Sequence, residues 1–166
     1  MAVTAEAHSV EYIGDEERVS RLIDFPSMYN ESRTALTLKL VCAFPEGQDE
    51  SVVWRRYAPE DHDVHRIGCT REAEKRQAKP ETRYKGCGTT TAGAIRCHKN
   101  ARGHGFSVRH APEEGLHHAS VAYAPANGVD LLKGDRTELK VWLGERFSNH
   151  ASHDCPNPPT GSEPAG

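Results

Sequence analysis

The sequence has no apolar run approaching the roughly 20 residues that a membrane-spanning helix needs. Its first twenty residues, MAVTAEAHSVEYIGDEERVS, have neither the basic start nor the apolar stretch of a secretory leader. Aromatic residues make up 7% of the chain and hydrophobic residues 36%, enough for one core with loose ends. No H-E-x-x-H, no ordered nucleophile–base set and no G-x-x-x-x-G-K-[ST] loop occurs. The five cysteines (Cys42, Cys69, Cys87, Cys97 and Cys155) are odd in number and lack the spacing of a disulfide framework. The expectation is free thiols in a cytoplasmic protein with no membrane contact.

The chain has 166 residues, the size of one domain. Formal net charge is −3, which marks neither a nucleic-acid protein nor an acidic solvating one. The distribution is more telling. Residues 64–109 hold eleven Lys/Arg against three Asp/Glu, a local net of +8, while the remainder holds ten against twenty-one, a net of −11.

Taken in order, residues 1–16 are polar and read as a flexible segment. Val19, Ile23 and Phe25 share one parity and favour a strand over 18–25, which Pro26 ends. Leu36, Leu38, Leu40 and Cys42 alternate with polar or smaller residues and predict a second strand; Ser51–Tyr57 predicts a third. Pro59 followed by Glu60, Asp61 and Asp63 starts a helix running to about Gln77, with Val64, Ile67 and Ala73 inward. Within it, Gly68 costs about 1 kcal/mol against alanine, so it must compensate through packing or a close approach. Leu139, Trp142, Leu143 and Phe147 give the stripe of an amphipathic helix beginning near Asp135. Residues 148–166 are rich in Pro, Gly, Ser, Asn and His and read as a disordered tail. The fold class that follows is α+β: one domain over 17–147, a two-layer sandwich with helices packed on one face of an antiparallel sheet.

Two segments carry chemistry. The first, GHGFSVRHAPEEGLHHASVAY (103–123), alternates on both sides of a Pro-Glu-Glu-Gly turn and predicts a hairpin. Pairing His110 with His117 places Phe106, Val108, Ala119 and Val121 on the buried face and Ser107, Arg109, His118 and Ser120 on the other. Facing imidazoles with Glu114 in the turn suit general acid–base work in a small hydrolase or phosphoryl-transfer enzyme, or the binding of a divalent metal by His110 and His117. The bland alternative is a pair of half-buried histidines bonded to backbone.

The second segment is basic. Gly86-Cys87-Gly88-Thr89-Thr90-Thr91 reads as a glycine turn before a helix over 90–100, where free N–H groups and hydroxyls can receive an anion. Arg83 and Lys85 precede it, and Arg96, Lys99 and Arg102 recur every three residues after it. The leading expectation is therefore a binding protein whose 83–102 segment contacts an anionic partner: nucleic acid, a phosphorylated small molecule or an acidic protein surface. Only Tyr84 could stack on a base, which weakens the nucleic-acid version. An accessory or immunity-like module that recognises another protein through an exposed face is the remaining alternative. Cys87, Cys97, His98 and His104 lack the paired spacing of a zinc site, and His150-x-x-His153-x-Cys155 reads as incidental in a loose tail.

Overall fold

The computed structural model describes residues 9–29 and 49–156. The expected strand over 36–42, with Cys42, lies outside the described residues. Six strands form one antiparallel sheet: β1 (Arg18–Phe25), β2 (Glu50–Trp54), β3 (Arg83–Thr91), β4 (Gly105–His110), β5 (His118–Ala124) and β6 (Ala151–Ser152), in the order β4-β5-β2-β1-β3-β6. Among the described residues there are three helices: α1 (Asp61–Lys75), α2 (Ala92–Arg96) and α3 (Lys133–Arg146). Among the described residues no helix is long and apolar enough to cross a membrane.

Both faces of the sheet carry apolar residues, which decides where the helices sit. Val19, Val52, Trp54, Phe106, Val108, Ala119 and Val121 form one cluster with Ile95 of α2 and Leu139 and Leu143 of α3. Leu22, Val53, Tyr84 and Cys87 form a second with Val64 and Ile67 of α1. The α+β class and the antiparallel sheet stand, but α1 covers one face and α2 and α3 the other. The alternation of Val52, Val53 and Trp54 between the clusters is the physical reason: this strand is apolar on both sides.

Helix α1 starts where its acids predict, with the Glu60 N–H donating to the Asp63 carboxylate at 3.0 Å. Its inward side is Val64, Gly68 and Glu72, while Ala73 is exposed. A Cβ on Gly68 would sit 2.4 Å from the Tyr84 ring, so the glycine admits a buried aromatic. Glu72 tolerates burial because it accepts the Tyr84 N–H at 2.8 Å. Arg55, 4% exposed, ties the start of α1 to the sheet through an ion pair with Asp61 and a 2.8 Å bond from its Nε to the Ser20 hydroxyl.

The chain after α3 differs most from expectation. Phe147 is buried in the first core cluster, β6 pairs with β3 at Gly86↔Ser152 and Cys87↔Ala151, and Cys155 is bonded to Cys69 of α1. Residues 148–156 are thus packed rather than loose; 157–166 lie outside the described residues.

Glu50, at the start of β2, is 5% exposed and pairs with Arg21. Burial pushes its carboxyl up to about 7, against the pull of Arg21, Arg71 and Lys140. A folded pKa above the ordinary 4.5 means the native state holds more protons between those values, so stability is fully present below 4.5 and is lost as pH rises through about 7. The loss amounts to about 3 kcal/mol at most. Urea unfolding of wild type and Glu50→Gln from pH 5 to pH 8 should show this slope in the wild type alone; parallel pH profiles would refute the assignment.

Candidate functional site

The hairpin forms with its faces as read but its register shifted by two. His110 pairs with Ala119, Val108 with Val121 and Phe106 with Tyr123. A 3-10 turn over Pro112–Glu114 and Gly115 at φ 132° take up the extra length. A shift of two preserves side-chain parity, so Phe106, Val108 and Val121 still face the core.

That shift separates the two histidines. His110 is buried against the Trp54 ring, centroids 4.8 Å apart. Its Nδ1 accepts the Glu11 N–H at 3.1 Å, and its Nε2 lies 2.9 Å from the Leu116 carbonyl. One nitrogen must accept and the other donate, so the ring is held as the neutral Nε2–H tautomer with no free lone pair. It is a structural histidine. His117 instead borders the opposite face beneath α1, where burial is the main cause holding its pKa below 6.5, with His118 and Arg71 adding to it. Its carbonyl accepts the Trp54 N–H at 2.7 Å. His110 and His117 therefore share neither a substrate nor a metal.

The adjacent His118 comes closer to a catalytic arrangement. Its Nε2 is 2.6 Å from Ser51 Oγ and 3.0 Å from a Glu114 carboxylate oxygen. A serine relay needs the base to hold serine on one nitrogen and the acid on the other. Here both contacts fall on one nitrogen, and Nδ1 is buried with no partner among the described residues. Serine activation is not built.

The basic segment is also rearranged. Gly86 and Gly88 lie inside β3, opposite Ile23 and Arg21 of β1, and no turn exists there. A Cβ on Gly88 would fall 1.8 Å from the Phe147 carbonyl oxygen, and one on Gly86 2.0 Å from that of Ala151. These glycines admit the returning chain. The Thr89 N–H donates to Asn149 Oδ1 at 2.9 Å and its hydroxyl meets Ser20 Oγ at 2.7 Å. Thr90 pairs with Val19. Helix α2 has only five residues, capped by Thr91.

The cations turn inward upon acids from elsewhere in the chain. Lys85 binds Asp154 at 2.6 Å. Arg96 binds Asp15 at 2.9 Å and the Val108 carbonyl at 2.9 Å. Arg102 binds Asp135 at 3.1 Å and the Asp130 carbonyl at 3.0 Å. Arg83 bonds the Pro80 carbonyl at 3.0 Å, and Lys99 is exposed. The charge segregation seen along the sequence is largely cancelled by folding.

Two of the hollows among the described residues border both a histidine and an arginine. One of about 780 Å³ lies beside His110 and Arg96, but the polar groups of both are taken up by backbone and Asp15. The other, of about 570 Å³, lies between α1 and the open end of the sheet. Its floor is Leu22, Val53 and Ile67; His117, His118, Arg66 and Arg71 stand around it together with the carboxylates of Glu74 and Glu114. Arg66 has one long ion pair, 3.9 Å to Asp63. Arg71 is half-buried, and its charge acts on the buried Glu50 carboxyl and on His117. The sequence reading missed Ser51, Arg66 and Arg71 because nothing local signals them: they come from β2 and α1 and meet His117 only across the sheet.

The described residues fold as a single α+β unit, and this cleft is one of several hollows in its surface. Compared with known proteins, the chain matches no family model, no curated sequence and no solved structure.

Proposed function

We propose that the protein is a small-molecule binding protein whose cleft between α1 and the β2–β5 side of the sheet takes a compact anionic ligand with an apolar part. The observation carrying this reading is the half-buried Arg71 beside Arg66 and His117, over an apolar floor in a cleft of about 570 Å³. That volume suits a small molecule and is lined in the usual way, apolar with a few convergent polar groups. It suits a nucleic-acid backbone poorly. The Thr70 hydroxyl donates to the Arg66 carbonyl at 2.9 Å and Ser51 Oγ is held by His118 at 2.6 Å, so the arginines would be the groups that meet a phosphate or carboxylate. Binding rather than catalysis is favoured because no nucleophile–base pair is assembled around His118.

Thermal unfolding with a panel of small phosphates and aromatic carboxylates tests this reading. A ligand at a hundred times its Kd stabilises by about 2.7 kcal/mol, a rise of several degrees for a chain of this size. The rise should vanish in Arg66→Ala/Arg71→Ala. It should also grow as pH falls below 6.5, where His117 gains its proton. No response across the panel, or one that survives the double substitution, would sink the proposal.

A further inference from the structure

Helix α1 carries His65 and Cys69 four residues apart, on one side of the helix. The extended segment after β6 carries His153 and Cys155 two apart, again on one side. The pairs face each other: the rings of His65 and His153 stack with centroids 4.2 Å apart, and Cys69 is disulfide-bonded to Cys155 with Cα atoms 5.6 Å apart. Donor atoms of Cys69, His153 and Cys155 all lie within 4.8 Å of one another. Two sulfurs and an imidazole nitrogen, half-buried and without a carboxylate, make a zinc donor set rather than one for calcium or magnesium. A second feature belongs to such a centre. His65 Nδ1 is 2.8 Å from the hydroxyl of Tyr84, a side chain 1% exposed. This hydrogen bond fixes the His65 ring, whose stacking on His153 in turn holds the ligating imidazole in place.

We propose that the reduced form of this cluster binds one zinc ion through Cys69, Cys155 and His153, with His65 packed against the His153 ring, and that the disulfide is the metal-free, oxidised form of the same site. In a reducing compartment such as the cytoplasm, a dithiol breaks the Cys69–Cys155 bond. It supplies two electrons and two protons and leaves as its own disulfide. Zinc then displaces the two thiol protons and takes both thiolates as ligands. Either form fastens the chain after β6 to α1, by a covalent bond or by the ion.

The test uses the full-length protein reduced with excess dithiol, desalted without oxygen and titrated with Zn²⁺ or Co²⁺. One ion per chain is expected, with thiolate-to-cobalt charge-transfer bands and the strong ligand-field absorption of a tetrahedral site. The oxidised protein should bind none. His153→Ala keeps both cysteines and should weaken binding at least about tenfold; His65→Ala should keep the thiolate bands with a changed ligand-field spectrum. Cys97→Ser, at an exposed free thiol, should change nothing. If reduction alone unfolds the chain, added zinc must restore its circular dichroism. Failure to restore it, folded reduced protein that takes up no stoichiometric metal, or binding unchanged in His153→Ala would each overturn the site.

Discussion

Gly88→Ala is expected to cost about 3 kcal/mol or more and to lower the melting temperature by roughly 6–12 °C. The Cβ it adds would fall 1.8 Å from the Phe147 carbonyl oxygen and 2.5 Å from its carbonyl carbon, both backbone atoms that cannot rotate aside. Phe147 is itself 1% exposed in the core that α3 closes, so relief requires moving β3 or the end of α3. The prediction separates two meanings of one sequence feature. A glycine placed for an open anion-binding turn would accept alanine with little loss of stability. Denaturant unfolding decides between them: a loss below about 1 kcal/mol would mean that the returning chain does not lie on β3 as described.

Loss of the Cys69–Cys155 bond is expected to have a comparable or larger effect. The bond joins residues 86 apart in sequence, and for a loop of that size chain entropy in the unfolded state accounts for about 4.6 kcal/mol. Cys69→Ser/Cys155→Ser, compared with the oxidised wild type in metal-free buffer, should lose this amount in urea unfolding. Cys97→Ser should be indistinguishable from wild type. Equal stability of the double variant and the oxidised protein would show that the bond does not constrain the chain. Restoration by zinc in the reduced wild type, but not in the double variant, would join this measurement to the proposed metal centre.

Much of the fold was legible because its signals are local. The parity of Val19, Ile23 and Phe25 marks β1, and the acids after Pro59 mark α1. Alternation on both sides of Pro112 marks the β4–β5 hairpin together with its inward and outward faces. Its register was not legible, since the count of residues in the connection does not reveal a 3-10 turn. Nor was the role of Gly86 and Gly88 legible. A glycine required by a chain segment some sixty residues away looks the same as a glycine required by a turn. The ion pairs of the basic run were hidden for the same reason, because Asp15, Asp135 and Asp154 are distant in sequence and adjacent only after folding. The cleft draws on β1, β2, α1 and the start of β5, and the Cys–His cluster on α1 and the segment after β6. The short spacings His65-x3-Cys69 and His153-x-Cys155 were visible, but nothing in either indicated the other.

The position of Phe147 and β6 also bears on the order in which this chain can mature during synthesis. Strand β3 lies between β1, made early, and β6, made among the last described residues. Until residues 147–156 leave the ribosome, the core lacks Phe147, the outer edge of β3 stays open to pairing with another chain, and Cys69 has no counterpart. A nascent chain halted before Phe147 should therefore be protease-sensitive along β3 even with α1 and the β4–β5 hairpin already translated. Resistance should arrive late, once the end of the chain can reach back across the sheet.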